Sequence, residues 1–179
     1  MLIIARAGPI FRINVTRSID AIYLRYGRLD SLQNGRLRAD PRYSSYVSEL
    51  QANPLPTATG TSTAKRFLAL IEQYKVYRWD SLRVATMRHQ PFRQLLDSVY
   101  SSSTAQLERP AANRNRIVLD GTSVHVVVQT ATQIEKDLYV KAPSPACHPL
   151  LYRVLHEALQ LYRQEYPTSF LDQRFTSGY

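Results

Sequence analysis

Lysine is nearly missing from this chain. Of the 23 basic residues among 179, four are Lys and nineteen are Arg, set against 14 acidic residues for a net charge of +9 and a pI of about 9.9. Solubility alone gives no reason to avoid lysine so strongly. An arginine bias points to a polyanionic partner, because the guanidinium fork donates two parallel charge-assisted hydrogen bonds to a phosphate. GC-rich coding is the other source of the same skew. Cysteine is scarcer still. Cys147 is the only one, which excludes an intrachain disulfide and any paired-cysteine metal spacing, and suits a reducing compartment. Its neighbour His148 does not make a thiolate–imidazole pair by adjacency, since consecutive side chains seldom face each other.

Long apolar runs are absent too. Nothing approaches the roughly 18 residues of a membrane span, and Met1-Leu2-Ile3-Ile4, with Arg6 close behind, is too short for a signal sequence. The chain therefore reads as soluble and intracellular, without a membrane partner. Phosphate-loop and dinucleotide glycine motifs do not occur. The four histidines, His89, His125, His148 and His156, have no metal-ligand spacing, and neither a nucleophile elbow nor H-E-x-x-H is found. Glu135 and Asp137 could act as paired carboxylates, but such pairs are common on exposed helices. These gaps leave no positive case for an enzyme, a cofactor or a metal.

What is present suits one folded domain over residues 1–179, with 44% apolar residues and enough length for a core. Thr16 to Asn34 reads as a helix, with Ile19, Ile22, Tyr23, Tyr26 and Leu29 on one face and Asn34-Gly35 as its stop. Asp40 caps a second helix with Pro41 in its first turn, and Asn53-Pro54 ends it. Residues 53–64 read as a loop, and Arg66 to Gln73 is ambiguous, with a short helix as one option. Lys75 to Trp79 alternates like a strand. A third helix is expected from Asp80 or Ser81 through Val84, Met87, Phe92, Leu95, Leu96 and Val99, kinked or split at Pro91. Ser123 to Thr130 is β-branched and strand-like, Ala131 to Lys141 is polar with helix as one option, and the last helix runs from about Pro149 to Glu165.

Two basic clusters stand out. Arg36, Arg38 and Arg42 fall within seven residues. Asn113-Arg114-Asn115-Arg116-Ile117 sets two arginines one residue apart behind Pro110. In an extended backbone Arg114 and Arg116 would point the same way and could engage successive phosphates.

Several landmarks resemble the coat proteins of rod-shaped plant RNA viruses, the tobacco mosaic virus type. They are Phe11, Leu32-Gln33-Asn34, Arg42, Ser48-Glu49-Leu50, Pro54, Lys75-Val76-Tyr77-Arg78-Trp79, the Arg-Asn-Arg-Ile at 114–117, Ser169-Phe170 and Phe175-Thr176-Ser177-Gly178. Their order is kept along nearly the whole chain, with an insertion between Arg78 and Arg114. The resemblance implies a mainly α fold, an antiparallel four-helix bundle with a small β-sheet at one end. It also implies a homo-oligomeric helical polymer around single-stranded RNA, found in the virion and the host cytoplasm. By position, Arg42, Arg114 and Arg116 would contact RNA phosphates, and Glu135 and Asp137 would lie beside the RNA at the start of the fourth long helix. Glu49 would be one acid of an inter-subunit carboxylate pair, but its partner position holds Val84. The family's Arg-x-x-Phe-Glu reads Tyr166-Pro167-Thr168-Ser169-Phe170-Leu171, and Pro143, Pro145 and Pro149 would shorten or break the fourth helix. The alternative is a non-viral, helical nucleic-acid-binding regulator, monomeric or dimeric. A toxin-like or nuclease-like enzyme is the third reading, and no acid–base constellation supports it.

Overall fold

The computed structural model describes residues 2–7, 11–109, 113, 123–130 and 132–166. Six strands lie among them: β1 (Leu2–Ala7), β2 (Phe11–Arg17), β3 (Ala21–Leu32), β4 (Lys75–Ala85), β5 (Ser123–Gln129) and β6 (Ile134–Lys141). Six helices accompany them: α1 (Asn34–Ala39), α2 (Pro41–Ala52), α3 (Ala58–Gln73), α4 (Gln90–Ser101), α5 (Thr104–Glu108) and α6 (Pro149–Glu165). The strands form one six-stranded sheet in the order β4-β3-β2-β1-β5-β6, antiparallel at β1–β2, β1–β5, β2–β3 and β5–β6. This overturns the mainly α four-helix bundle that the resemblance implies. Backbone contacts divide the chain into two compact units, Met1–Arg28 with Trp79–Tyr179, and Leu29–Arg78.

In the first unit, side chains alternate across the sheet. Ile13 and Val15 of β2, Ile22, Leu24 and Tyr26 of β3, Val84 of β4, Val124, Val126 and Val128 of β5, and Leu138 and Val140 of β6 are buried in one cluster. Every buried side chain of α4, α5 and α6 joins that cluster. One face of the sheet is thus the helix-packed face, and each fully buried Leu or Val contributes about 1.5–3 kcal/mol. Helix α6 is tied down by tyrosines. Tyr26 Oη donates to the Ala158 carbonyl at 2.6 Å, Tyr162 Oη to Asp80 Oδ2 at 2.6 Å, and Tyr166 Oη to the Ser81 carbonyl at 2.7 Å. The Tyr26 and Tyr162 rings lie 4.4 Å apart.

The helix expected over Thr16 to Asn34 is instead the end of β2, a tight turn and β3. Ile22, Leu24 and Tyr26 are wholly buried while Tyr23 between them is 44% exposed, which is the period of a strand. Ile19, placed on the apolar helix face by spacing, is 91% exposed at the hairpin tip. Ser18 closes that turn, its Oγ donating to the Ala21 carbonyl and accepting from the Ala21 amide. The third helix is also shorter than expected. β4 continues to Ala85, and α4 starts at Gln90 with Pro91 in its first turn. Proline there needs no amide partner, so it opens the helix and does not kink it. Ala131 to Lys141, with helix as one option, contains strand β6, whose Leu138 and Val140 face the core. The remaining side chains of β6 are polar or exposed, as an edge strand allows. Strand β5 and helix α6 lie where the sequence places them.

In the second unit, α2 is capped as expected, Asp40 Oδ1 accepting from the Arg42 amide at 2.8 Å. Helix α3 begins inside the expected loop, where Thr57 Oγ1 accepts from the Gly60 amide at 3.1 Å. A side chain at Gly60 would meet the Asn53 carbonyl at 2.3 Å, so the backbones approach there as only glycine permits. Tyr43 and Tyr46 of α2 pack on Phe67 of α3, with centroids 5.4 and 6.3 Å apart. Among the described residues no helix is long and apolar enough to cross a membrane.

Candidate nucleic-acid interface

The second face of the sheet carries a different chemistry. Its positions alternate with the core residues: Arg12 and Asn14 on β2, Tyr23, Arg25 and Gly27 on β3, Trp79, Ser81 and Arg83 on β4, His125 and Val127 on β5, and Asp137 and Tyr139 on β6. Strand register sets them in rows. Tyr139 pairs with His125, His125 with Arg6, Arg6 with Arg12 and Arg12 with Gly27. The next row runs Asp137, Val127, Ile4, Asn14 and Arg25.

Cations and rings are interleaved across this face. Arg25 lies over the Trp79 indole, 4.8 Å from its centroid. Arg83 lies over Tyr23 at 5.8 Å, its Nε donating to Tyr23 Oη at 3.4 Å. At the opposite edge His125 and Tyr139 stack with centroids 4.0 Å apart and planes 3° from parallel. Tyr139 is 71% exposed, so its ring offers its outer surface to solvent. Asp137 is an acid of this face, and its Oδ1 lies 2.5 Å from His125 Nε2. Cation–π contacts of this kind hold a guanidinium in place while its donors remain available. Asn14 Oδ1 is buried and has no hydrogen-bond partner among the described residues, opposite Arg25 in register.

The residues singled out from the sequence fall elsewhere for the most part. Arg42 lies in the second unit, where its Nε and Nη2 reach Asp40 at 3.0 and 2.7 Å and Nη2 also reaches Gln73 Oε1 at 3.2 Å. Tyr74 Oη donates to the same carboxylate at 2.7 Å. The hydrogen bonds from Arg42 and Tyr74 hold Asp40 far below the usual carboxylate range, and the bond to Asp40 raises Arg42 and Tyr74 above theirs. Arg42 is therefore committed to an ion pair before any phosphate arrives. Arg114 and Arg116 lie outside the described residues. Their neighbour Asn113 donates from Nδ2 to the carbonyls of Glu108 and Arg109, and that Nδ2 is 3.1 Å from His148 Nε2.

Asp137 does reach the candidate face, from a strand and not from the start of a long helix. Glu135 is exposed on the same strand and accepts from Gln133 Nε2 at 2.7 Å. Glu49 pairs with Arg66 within the chain at 3.1 Å, and Val84 is a core residue. Among the described residues no three His, Cys, Asp or Glu side chains could hold a metal ion. Sequence reasoning missed Arg12, Arg25, Arg83, Tyr23 and Trp79 as a set. The signal that could have found them is alternation: Arg-Ile-Asn-Val over 12–15 and Tyr-Leu-Arg-Tyr-Gly over 23–27 each place polar or aromatic side chains on one side of a strand.

Compared with family models, curated proteins and solved structures, the chain matches none.

Proposed function

We propose that this protein binds single-stranded nucleic acid on the second face of its sheet. The observation that carries this reading is the interleaving of the exposed Arg25 and Arg83 with Tyr23, Trp79, His125 and Tyr139 on one face whose opposite side is filled by helices. Single strands, unlike duplexes, expose base faces, and aromatic rings and guanidinium planes stack on them while arginines neutralise the backbone. The net charge of +9 and the arginine bias act in the same direction. Affinity of this type is salt-dependent and indifferent to sequence.

The coat-protein reading drew its subunit packing from a four-helix bundle. With a six-stranded sheet in its place, the basic charge and the arginines are what remain to support it. The same arginines suit a binder that stays small. One experiment separates the two. Purified protein is titrated with a 20-nucleotide single-stranded RNA and with its duplex, by anisotropy and sedimentation, at 50 and 200 mM salt. The proposal expects tighter binding of the single strand, weakened at the higher salt, in particles of one or a few subunits. Equal affinity for both forms, or no binding, overturns it. Large RNA-dependent rods would restore the polymer reading.

A further inference from the structure

Strand β6 ends the sheet order, and among the described residues only β5 pairs with it. Among those residues, too, no backbone hydrogen bond from outside the sheet reaches Ile134 to Val140. An edge of this kind is a template for another strand, and its charged side chains decide which strands it accepts. We infer that β6 pairs with β6 of a second copy of this chain, antiparallel, about a two-fold axis at Leu138. The two six-stranded sheets then join into one.

The order of charges along β6 carries this. Glu135, Asp137, Tyr139 and Lys141 are exposed on the second face of the sheet, while Lys136, Leu138 and Val140 alternate with them on the helix-packed face. Residues directly opposite in an antiparallel pair share a face. A two-fold axis perpendicular to the sheet preserves both faces, so it passes through a residue position. With the axis at Leu138, Glu135 stands opposite Lys141 of the second copy, and Lys141 opposite its Glu135. Asp137 stands opposite Tyr139 and Lys136 opposite Val140, so no like charges meet. Opposite charges directly across a strand pair stabilise it, and like charges destabilise it. Glu135 accepts one bond within its own chain, from Gln133 Nε2, and a carboxylate has about four acceptor sites.

Other arrangements fail on the same residues. An axis at Asp137 sets that carboxylate against itself, and an axis at Lys136 sets Glu135 against Asp137. An axis at Tyr139 gives Lys141 to Asp137, which His125 already holds. It also carries Glu135 past the end of β6 to Pro143, which has no amide to donate. Parallel pairing about an axis along the strand sets every charge against its own copy. The Leu138 axis further places the two Tyr139 side chains diagonally across the join, within reach of each other at about 7–8 Å. Each is already stacked on its own His125 and otherwise exposed.

An edge of eight residues makes a smaller interface than a permanent dimer has, so the pairing depends on concentration. The test is sedimentation equilibrium of the full chain without nucleic acid, from about 1 µM to about 1 mM protein, on the wild type and on charge-reversed variants. Expected is a monomer–dimer equilibrium in the wild type. Lys141→Glu and Glu135→Lys each set like charges face to face twice in the dimer, and each should raise its dissociation constant roughly 5- to 50-fold. The two reversals combined restore opposite charges and should return the constant to within about threefold of the wild type. Both side chains are exposed, so the monomer keeps its fold and its melting temperature. Rescue of Lys141→Glu by Asp137→Lys, and not by Glu135→Lys, overturns the Leu138 axis. A monomer at every concentration, or a dimer that neither reversal weakens, overturns the edge pairing. The measurement contains no nucleic acid, so its failure is distinct from failure of the binding face proposed above.

Discussion

Trp79 lies against Gly27: a Cβ on that glycine would come within 2.7 Å of the indole Cζ3 and 2.8 Å of Cε3. The glycine is a recess in the second face of the sheet, and the largest ring of the chain fills it. Gly27→Ala should push the indole away from the sheet. A ring cannot fold aside like a flexible side-chain tip, so overpacking of about 1–3 kcal/mol is expected. Emission from the single tryptophan should shift to the red as it becomes wetter, and the urea midpoint should fall. An unchanged spectrum would mean that the ring does not rest there in solution.

The arginines of the face should separate cleanly from the arginines that bind protein. Arg25 and Arg83 are exposed and lie over rings, whereas Arg17 is paired with Asp97 of α4. Replacing Arg25 or Arg83 with Gln should lower the slope of log affinity against log salt by about 0.7 for each lost phosphate contact on a single strand. Arg17→Gln should leave that slope unchanged. Equilibrium titrations at four salt concentrations are sufficient to measure the difference.

How much of this was legible in the residues depends on which period each segment carries. Helix α2 was visible because Asp40-Pro41 is a strong start and Asn53-Pro54 a strong stop. Strand β5 was visible because Val-His-Val-Val-Val has few helical alternatives. Strand β3 was misread because Ile22, Tyr23 and Tyr26 satisfy a helical spacing as well as an alternating one. Only its pairing with β2, through Ile13–Tyr26 and Val15–Leu24, decides between them. The candidate face was hidden for the same reason. Its members sit on five strands far apart in sequence, and no local motif joins Arg12 to Trp79 or Tyr139. The short motifs that suggested a helical bundle carry order but no packing information, so they could not reveal the sheet.

Tyr26 links the sheet to α6, and its phenol should mark the alkaline limit of the fold. It is wholly buried, and burial pushes its ionisation well above the usual value. An unfolded tyrosine ionises near pH 10. Above that pH the unfolded chain releases a proton that the folded chain retains, so this contribution to stability is full below about pH 10 and declines as pH rises beyond it. Tyr26→Phe removes the bond to the Ala158 carbonyl and should cost about 0.5–1.5 kcal/mol at pH 7. It should also flatten the loss of stability between pH 10 and 11.5. Thermal melts of both proteins across that range would show whether the two curves converge.

Asp40 should mark the acid limit, and it also bears on the role of Arg42. Its carboxylate caps α2, accepts twice from the Arg42 guanidinium and once from Tyr74, and its side chain is only 8% exposed. These bonds depress its ionisation. The sign follows: the stabilisation is present above the unfolded carboxylate value of about 3.9 and is lost as pH falls below it toward the depressed folded value. Hydrogen exchange of the α1–α3 amides should therefore quicken as pH drops below about 4, beyond the intrinsic trend. Asp40→Asn should already exchange fast at pH 6 and respond less to acid. If both proteins respond equally, the dependence comes from another group. Because Arg42 is engaged with Asp40, Arg42→Gln should reproduce the fast exchange while leaving affinity for single strands close to the wild type. A large loss of affinity in a variant with normal exchange would instead place Arg42 among the phosphate ligands and extend the interface beyond the second face of the sheet.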